Sequence, residues 1–360
     1  MKKIIFALAA VAALAACTKT EYVDVQNEIS LAPVTRNITK AMVDDNIFPV
    51  ESFNVWAWYK QLPADTPIAA WQASTINNQP YIIESTFRKK DNQTDWSGVT
   101  PYYWPKLGSL LFAGYYPASI SDDVSYEFGA DVNKMIFTGI NQSVVTTNTT
   151  HEEDIMYFNM TTNSVASGPV SVVFNHALSW ITMNVKKSTG SPMIVIDEIK
   201  FTKVKNTGTG TVDNSATTAA GKVISWETTG NPDAETVFGE DVELDTNPTK
   251  LVEPLFIPQT MSGQLVISYT VYSSDDEKFN EVYTADLNSL KSGLNKWEPA
   301  KHYTYDIEIG TTEILITPSV KPWEAVSVPV EGLNNQAQNN QQAPDNTQQA
   351  PDNNNQSDNN

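Results

Sequence analysis

The chain has 360 residues, a length that suggests two domains of ordinary size. Its formal net charge of −19 makes nucleic acid and anionic lipid headgroups poor partners, because both are bound through basic surfaces. A hydrophobic content of 41% is sufficient for real cores, and a single cysteine excludes an intrachain disulfide.

The first segment has the pattern of a secretory signal peptide. Two lysines precede an apolar run over residues 4–16, which is shorter than the about 20 residues that a membrane-spanning helix needs. The run ends in Leu14-Ala15-Ala16-Cys17, which resembles a bacterial lipoprotein lipobox. The resemblance implies that residues 1–16 are removed and that the thiol of Cys17 is lipidated. A cleaved secretory peptide with an incidental cysteine is the alternative.

From residue 28 onward the pattern predicts many short strands. Residues 52–59 alternate, which places two sets of side chains on opposite faces of a strand. The sets are Phe53, Val55 and Ala57 on one face, and Trp56 and Trp58 on the other. The continuous apolar run over 109–116 predicts a strand covered on both faces. Residues 303–309 are apolar at every odd position, which predicts one face on a core and one face in solvent.

Turn residues and further strand patterns fill the rest of the chain. Strands are predicted within 170–185, 193–204, 264–272 and 281–287, and short helical turns only at 175–180 and 288–297. Many short strands with frequent turns predict an all-β fold of antiparallel β-sandwiches with few short helices.

Composition also divides the chain. The Ser/Gly/Pro break near 163–169 predicts a boundary between an N-terminal sandwich, 37–165, and a C-terminal sandwich, 166–330. Residues 331–360 are rich in Asn, Gln and Pro and have almost no apolar residue, so a disordered tail is predicted.

No catalytic, metal-binding or cofactor-binding motif stands out. The histidines, His151, His176 and His302, are not at metal-ligand spacing; we expect His176 to be buried and satisfied, and His302 to be exposed at the start of a strand. The acidic run 151–154 is best explained as a solvated loop. We therefore expect no metal, no cofactor and no enzyme activity, with a secreted hydrolase as the least favoured alternative.

Aromatic residues are concentrated in the N-terminal half. They are Trp56, Trp58, Tyr59, Trp71, Tyr102, Tyr103, Trp104, Tyr115 and Tyr116. Strands recruit aromatic side chains to fill a core, and we favour that interpretation over a stacking platform for sugars.

Several segments in order resemble the fimbrillin family, the lipoprotein subunits of type V pili in Bacteroidetes-type bacteria. After the lipobox these segments are EISLAPVTR (28–36), FNVWAWY (53–59), YWP (103–105), LFAGYYP (111–117), VFNHALSWI (173–181), PLFIPQ (254–259), YTYDI (303–307) and ILITPSVKPW (314–323). The resemblance runs from residue 17 to about residue 330 and leaves the Asn/Gln tail outside.

The resemblance implies two tandem transthyretin-like β-sandwich domains and assembly by strand exchange. An early strand, here 28–36, would complete the N-terminal sheet, with Ile29, Leu31 and Pro33 on one face and Ala32 and Val34 on the other. A trypsin-like protease would then cut between Arg36 and Asn37, or alternatively after Lys40, and remove the lipidated propeptide 17–36.

The resemblance further implies that a C-terminal segment, 312–330, enters the vacated groove of another subunit. Its candidate residues are Ile314, Leu315, Ile316, Val320, Trp323, Val326 and Val328. Pro318 and Pro322 fit an edge or inserted strand, although these residues could also form the last strands of the C-terminal sandwich.

The implied function is that of a structural fimbrial subunit at the outer membrane or cell surface, serving adhesion and surface display. Its implied partners are other copies or related pilus subunits, a processing protease, and a host or bacterial surface ligand, but not nucleic acid. The hydrophilic tail leaves a stalk, tip or anchor role open. The alternative function is a surface glycan-binding outer-membrane lipoprotein that uses exposed aromatics.

Overall fold

A computed structural model describes residues 27–35, 52–63, 66, 80–90, 94–129, 132–142, 154–164, 168–216, 222–229, 235–273, 277–290, 294–311 and 313–323. The strands are β1 (Ser30–Thr35), β2 (Ser52–Lys60), β3 (Ile82–Lys89), β4 (Trp96–Gly98), β5 (Ser109–Tyr116), β6 (Val124–Phe128), β7 (Asn133–Asn141), β8 (Met156–Ser164), β9 (Val170–His176), β10 (Ser179–Lys187), β11 (Met193–Phe201), β12 (Thr207–Asp213), β13 (Ser225–Thr229), β14 (Glu235–Phe238), β15 (Val242–Glu243), β16 (Thr249–Val252), β17 (Leu255–Phe256), β18 (Gln259–Thr260), β19 (Gln264–Tyr272), β20 (Lys278–Asp286), β21 (Lys296–Trp297), β22 (Lys301–Ile309) and β23 (Ile314–Pro322). Two 3₁₀ helices, Ala118–Asp123 and Leu287–Ser289, interrupt them. The all-β prediction is confirmed.

The first half of the chain forms a closed barrel with the strand order β1-β4-β3-β2-β5-β8-β9. Its interior is filled by apolar side chains that alternate along the strands, as the period of a strand requires. They are Ile29, Leu31, Phe53, Val55, Ala57, Ile82, Phe87, Trp96, Trp104, Leu110, Phe112, Met156, Phe158, Val170, Val172 and Phe174. β2 therefore directs the face predicted from residues 53, 55 and 57 into the barrel.

A second sheet, β13-β12-β7-β6, shares a core with the outward-facing side chains of the barrel. Trp56 and Trp58 of β2 lie in this core together with Met135 and Phe137 of β7. Tyr115 of β5 also belongs to it, whereas other side chains of β5 fill the barrel. The prediction that the 109–116 strand is covered on both faces is confirmed.

Two further sheets enclose the third core as a sandwich. One has the order β16-β10-β22-β23, with β17 also paired to β10, and the other has the order β14-β11-β19-β20, with β15 paired to β11. From residue 303 onward the odd-numbered residues of β22 are buried in this core: Tyr303, Tyr305, Ile307 and Ile309. The alternation predicted for 303–309 is therefore confirmed. The remaining described strands, β18 and β21, pair with each other as a small two-stranded sheet.

The predicted helical turn at 175–180 is wrong. β9 continues to His176 and β10 begins at Ser179, and the link consists of Ala177 and Leu178, both fully buried. The chain therefore passes from one strand to the next through a buried two-residue link with a bend at Leu178, and not through a helical turn. Among the described residues of the predicted turn at 288–297, the structure has the end of the 3₁₀ helix Leu287–Ser289 and the strand β21.

The Ser/Gly/Pro break near 163–169 lies between β8 and β9, which pair with each other in the barrel. Likewise, β12, which follows this break, pairs with β7, which precedes it. The division into 37–165 and 166–330 stays a prediction. None of the helices in the described ranges has the length and apolarity that a membrane span requires.

Candidate functional site

The barrel is closed by β1, which is held along both edges. Residues 31–35 pair in parallel with residues 170–174 of β9, over five residue pairs. On its other edge β1 pairs with β4 in antiparallel fashion over only two residue pairs, Ser30 with Ser97 and Leu31 with Trp96. A single six-residue strand therefore closes the ring between β4 and β9.

Two side chains of this segment are part of the barrel core: Ile29, which directly precedes β1, and Leu31 within it. Ile29 and Leu31 have no exposed surface, Ala32 is buried, and Pro33 is half-buried. Ile29 and Leu31, which the alternation places on one face, are both in the barrel core, and Ala32 from the other face is buried as well. β1 thus contributes apolar volume that no other strand of the barrel replaces.

The segment just before β1 is fixed by backbone bonds. The Ile29 amide donates to the carbonyl oxygen of Tyr102 at 2.7 Å, and the Trp104 amide donates to the carbonyl oxygen of Asn27 at 3.0 Å. Lys90 Nζ and Glu28 Oε1 form an ion pair at 2.6 Å. Both of these side chains are about one-third exposed, so the pair contributes little stability compared with the buried residues of β1.

A polar network on the outward side of the barrel, where Tyr115 lies, does not involve β1. Asn54 Nδ2 donates to Tyr115 Oη at 2.8 Å, and Tyr115 Oη donates to Glu84 Oε1 at 2.6 Å. Thr86 Oγ1 donates to Asn54 Oδ1 at 2.8 Å. Burial raises the pKa of the Glu84 carboxyl, and the nearby Asp122 charge raises it further, against the lowering effect of the Tyr115 bond. The network ties β2, β3 and β5 together independently of the closing strand.

The C-terminal candidate residues lie on β23, the edge strand of its sheet. β23 pairs with β22 over its whole length, from Ile314 opposite Ile309 to Pro322 opposite Lys301. Leu315 and Val320 are 60% and 39% exposed.

The face of β23 opposite Leu315 is partly covered over residues 314–318. Ile314 and Ile316 are half-buried and pack against the sandwich core, and Pro318 is buried. The sequence leaves open whether this segment is a donor strand or the last strand of its own sandwich. In the described chain these residues form the last strand of their own sandwich.

Trp323, which directly follows β23, is anchored in an aromatic cluster that no sequence pattern indicates. Its ring stacks on His176 with centroids 3.7 Å apart and lies 5.7 Å from Trp180, which stacks on His302 at 3.6 Å. His176 Nδ1 is hydrogen-bonded to the carboxylate of Asp154. His176 ends β9, so the cluster joins the end of β23 to the strand that pairs with β1.

The expected burial is confirmed for one of the two described histidines, and the expected exposure is wrong for the other. His176 is buried, as expected, and one ring nitrogen is satisfied by Asp154. The expectation that His302 is exposed is wrong, because the parallel pairing of β22 with β10 places it beside Trp180. Burial, together with the charges of Lys321 and Lys250, lowers the pKa of His302 to about 4.

Most of the N-terminal aromatics belong to cores rather than to a surface. Trp56, Trp58, Trp104 and Tyr115 are at most 5% exposed, which confirms the core interpretation for them. Tyr103 is 42% exposed, and Trp71 lies outside the described residues. The described part of the chain has no cluster of side chains suited to hold a metal ion.

Several predicted site residues fall outside the described ranges: Cys17, Arg36, Asn37, Val326 and Val328. The described candidates divide between two places. The first strand lies in the barrel, whereas Ile314, Leu315, Ile316 and Val320 lie on β23 in the sandwich.

Comparison with known proteins agrees with this architecture. A fimbrial protein from Bacteroides vulgatus ATCC 8482 superimposes with a TM-score of 0.57 at 15% identity, over 82% of this chain and 100% of that one. The tip fimbrial protein Mfa3 from Porphyromonas gingivalis, with a C-terminal truncation, gives a TM-score of 0.37 at 12% identity, over 82% and 100% of the two chains. A search of curated protein sequences found no significant match. The family model described as fimbrillin-like matches residues 39–323, which is most of the chain, and the protein therefore belongs to the fimbrillin-like family.

Proposed function

We propose that this protein is a structural fimbrial subunit that is exported as a lipoprotein, cleaved after Arg36, and polymerised by exchange of its first strand for a strand of another subunit. The observation that carries the proposal is the position of β1, a single short strand that closes an otherwise continuous barrel. Membership in the fimbrillin-like family indicates a structural, non-enzymatic protein of a cell-surface appendage.

Removal of β1 would open one slot, between β9 and β4. The slot would expose main-chain groups of β9 along five residue pairs and the apolar side chains that now surround Ile29 and Leu31. Any strand with apolar residues at alternate positions could fill it by β-strand addition. Burying two large aliphatic side chains contributes about 3–6 kcal/mol, at 1.5–3 kcal/mol each, before ladder bonds are counted.

Cleavage is the step that would make exchange favourable. While β1 is covalently attached, its high effective concentration at the slot lets it outcompete a strand from another subunit. Thr35 is the last residue of β1, so a cut after Arg36 would separate this strand from the rest of the subunit and leave Asn37 as the new N-terminus. The lipid on Cys17 would leave with the excised segment.

The donor is proposed to lie within 312–330. If β23 itself were the donor, Ile314 and Ile316 would have to leave the sandwich, and a nine-pair ladder with β22 would be lost. Val326 and Val328 follow Trp323 and could enter a neighbouring slot without that loss. We therefore assign the main anchoring role to Val326 and Val328.

Limited trypsin digestion of the full-length precursor tests the proposal. The wild-type protein should yield Asn37 as its new N-terminus and SDS-resistant ladders in unboiled samples. Arg36→Ala should abolish both, and Lys40→Ala, a matched loss of a nearby basic residue, should leave them intact. Polymerisation of Arg36→Ala at the wild-type rate would exclude this cleavage site.

A second variant addresses the donor. Val326→Asp/Val328→Asp should be cleaved normally but fail to form ladders, because two carboxylates cannot enter an apolar slot without a large desolvation cost. Leu315→Asp, a matched change on the exposed side of β23, should still polymerise. If Leu315→Asp also blocked the ladders, β23 itself would be the donor.

A further inference from the structure

The outer edge of β20 is long, exposed and free of proline. β20 is the last strand of the sheet β14-β11-β19-β20 and pairs with β19 over nine residue pairs. Within the described ranges no strand pairs with its other edge. Phe279 and Val282 on this strand are 49% and 66% exposed.

The other described sheet edges are protected in ways that β20 is not. β14 and β16 have only four residues, and β6 and β13 have five. β23 has nine residues but contains Pro318 and Pro322. Short length and proline are devices by which proteins prevent edge-to-edge pairing. β20 uses neither, so its main-chain groups are available to another strand.

We propose that β20 is an interface at which two copies of this protein pair edge to edge, antiparallel, about a two-fold axis at Val282. In this register Lys278 of each copy lies opposite Asp286 of the other, so that opposite charges meet at both ends. Phe279 then lies opposite Ala285, and all nine residues of each strand are paired. Each sheet would continue into its copy.

A second copy fits this edge because the strand is complementary to itself. The register that overlaps all of β20 is the same one that pairs its terminal lysine with its terminal aspartate. Cross-strand pairs of opposite charge are stabilising, and an apolar pair such as Phe279 with Ala285 adds to them. The chain as a whole is strongly acidic, so a local match of this kind is needed for two copies to approach each other.

The interface is small and contains one unfavourable feature. Glu281 of one copy would lie diagonally across from Glu281 of the other, at the about 7–8 Å typical of such neighbours. A single pair of strands also buries less than the about 1,200 Å² of a standard stable interface. The pairing is therefore weak between free subunits, and it forms mainly where many copies are held side by side. It uses neither β1 nor β23 and does not depend on strand exchange.

Disulfide trapping tests the geometry. Residue 282 would face its own copy at a Cα separation of about 4.5–5.5 Å, within the range that a disulfide bridges. In a Cys17→Ser background, Val282→Cys should form a covalent dimer under mild oxidation. Val223→Cys, whose parent residue is 46% exposed but lies outside the strand, is the control and should stay monomeric. Equal trapping of the two variants would overturn the proposal.

A charge swap tests the register. With Val282→Cys as reporter, Lys278→Glu and Asp286→Lys should each slow trapping several-fold, and the double variant should restore it. Asp286 also accepts a bond from Gln264 Nε2 at 3.0 Å, but loss of that bond cannot explain restoration in the double variant. Failure of the double variant to exceed the singles would overturn the register. A cysteine at 282 that resists thiol reagents would show that another segment of the chain covers this edge, and would overturn the proposal itself.

Discussion

Truncation of Leu31 measures what the closing strand β1 contributes, separately from the other strands of the barrel. Leu31 on β1 and Leu110 on β5 have the same side chain, are both fully buried, and belong to the same core. Replacing either with alanine in the uncleaved precursor should lower the free energy of unfolding by about 2–5 kcal/mol. Urea unfolding followed by tryptophan fluorescence measures this loss.

The two variants should differ once the subunits have been cleaved and polymerised. If β1 has left the barrel, Leu31 no longer contributes to it, and polymers of Leu31→Ala should dissociate in SDS at the wild-type temperature. Polymers of Leu110→Ala should dissociate at a lower temperature, because β5 stays in place. Polymerisation of Leu31→Ala should also be faster, since the resident strand is held less tightly.

Two results would refute this reasoning. Polymers of Leu31→Ala that dissociate as early as those of Leu110→Ala would mean that β1 remains in the assembled subunit. A precursor of Leu31→Ala that is as stable as the wild type would mean that β1 does not complete the barrel core at all. Because both variants remove the same atoms from the same core, a general folding defect would affect them equally.

Three further changes test the packing of the described chain. Trp323→Ala should lower the free energy of unfolding by about 3–5 kcal/mol, since it removes a buried indole that stacks on a histidine of β9, and a loss below 1 kcal/mol in urea titration would contradict this. Gly114→Ala should destabilise the barrel by about 1–3 kcal/mol because its Cβ would overlap the ring of Phe158, whereas Gly168→Ala, with open space around it, should be neutral in the same titration. As the pH is lowered from 6.5 to about 4, His302 is protonated in the unfolded chain before it is protonated in the folded chain. The free energy of unfolding should therefore decrease as the pH is lowered through this window. His302→Gln should reduce this dependence, and an unchanged pH profile would argue against a half-buried ring that stays neutral.

The faces of individual strands could be read from the sequence because alternation is a local property. In β2 the apolar residues at 53, 55 and 57 and the indoles of Trp56 and Trp58 were assigned to opposite faces, and two different cores receive them. The same holds for β22. Strand geometry alone fixes these directions, whatever the strand pairs with.

Pairing partners could not be read in the same way. The apolar pattern of 175–180 fits a helical turn as well as a strand-to-strand link, and the pairing of β9 and β10 with strands distant in sequence decides between them. The expectation that His302 is exposed rests only on its place at the start of a predicted strand. Its stacking partner Trp180 comes from the adjacent parallel strand, which no local pattern identifies.

β9 contacts both segments that strand exchange would involve, the closing strand β1 and the end of β23. Its residue Phe174 pairs with Thr35 of the closing strand, and two residues later His176 stacks on Trp323. A strand that borders the slot therefore also anchors the end of β23. This favours a subunit that keeps β23 in its own sandwich while it donates the residues beyond Trp323, because the anchor would otherwise be broken at each exchange. The proposed β20 contact lies in the opposite sheet of that sandwich, so end-to-end exchange and side-by-side pairing use different strands and can be disrupted separately.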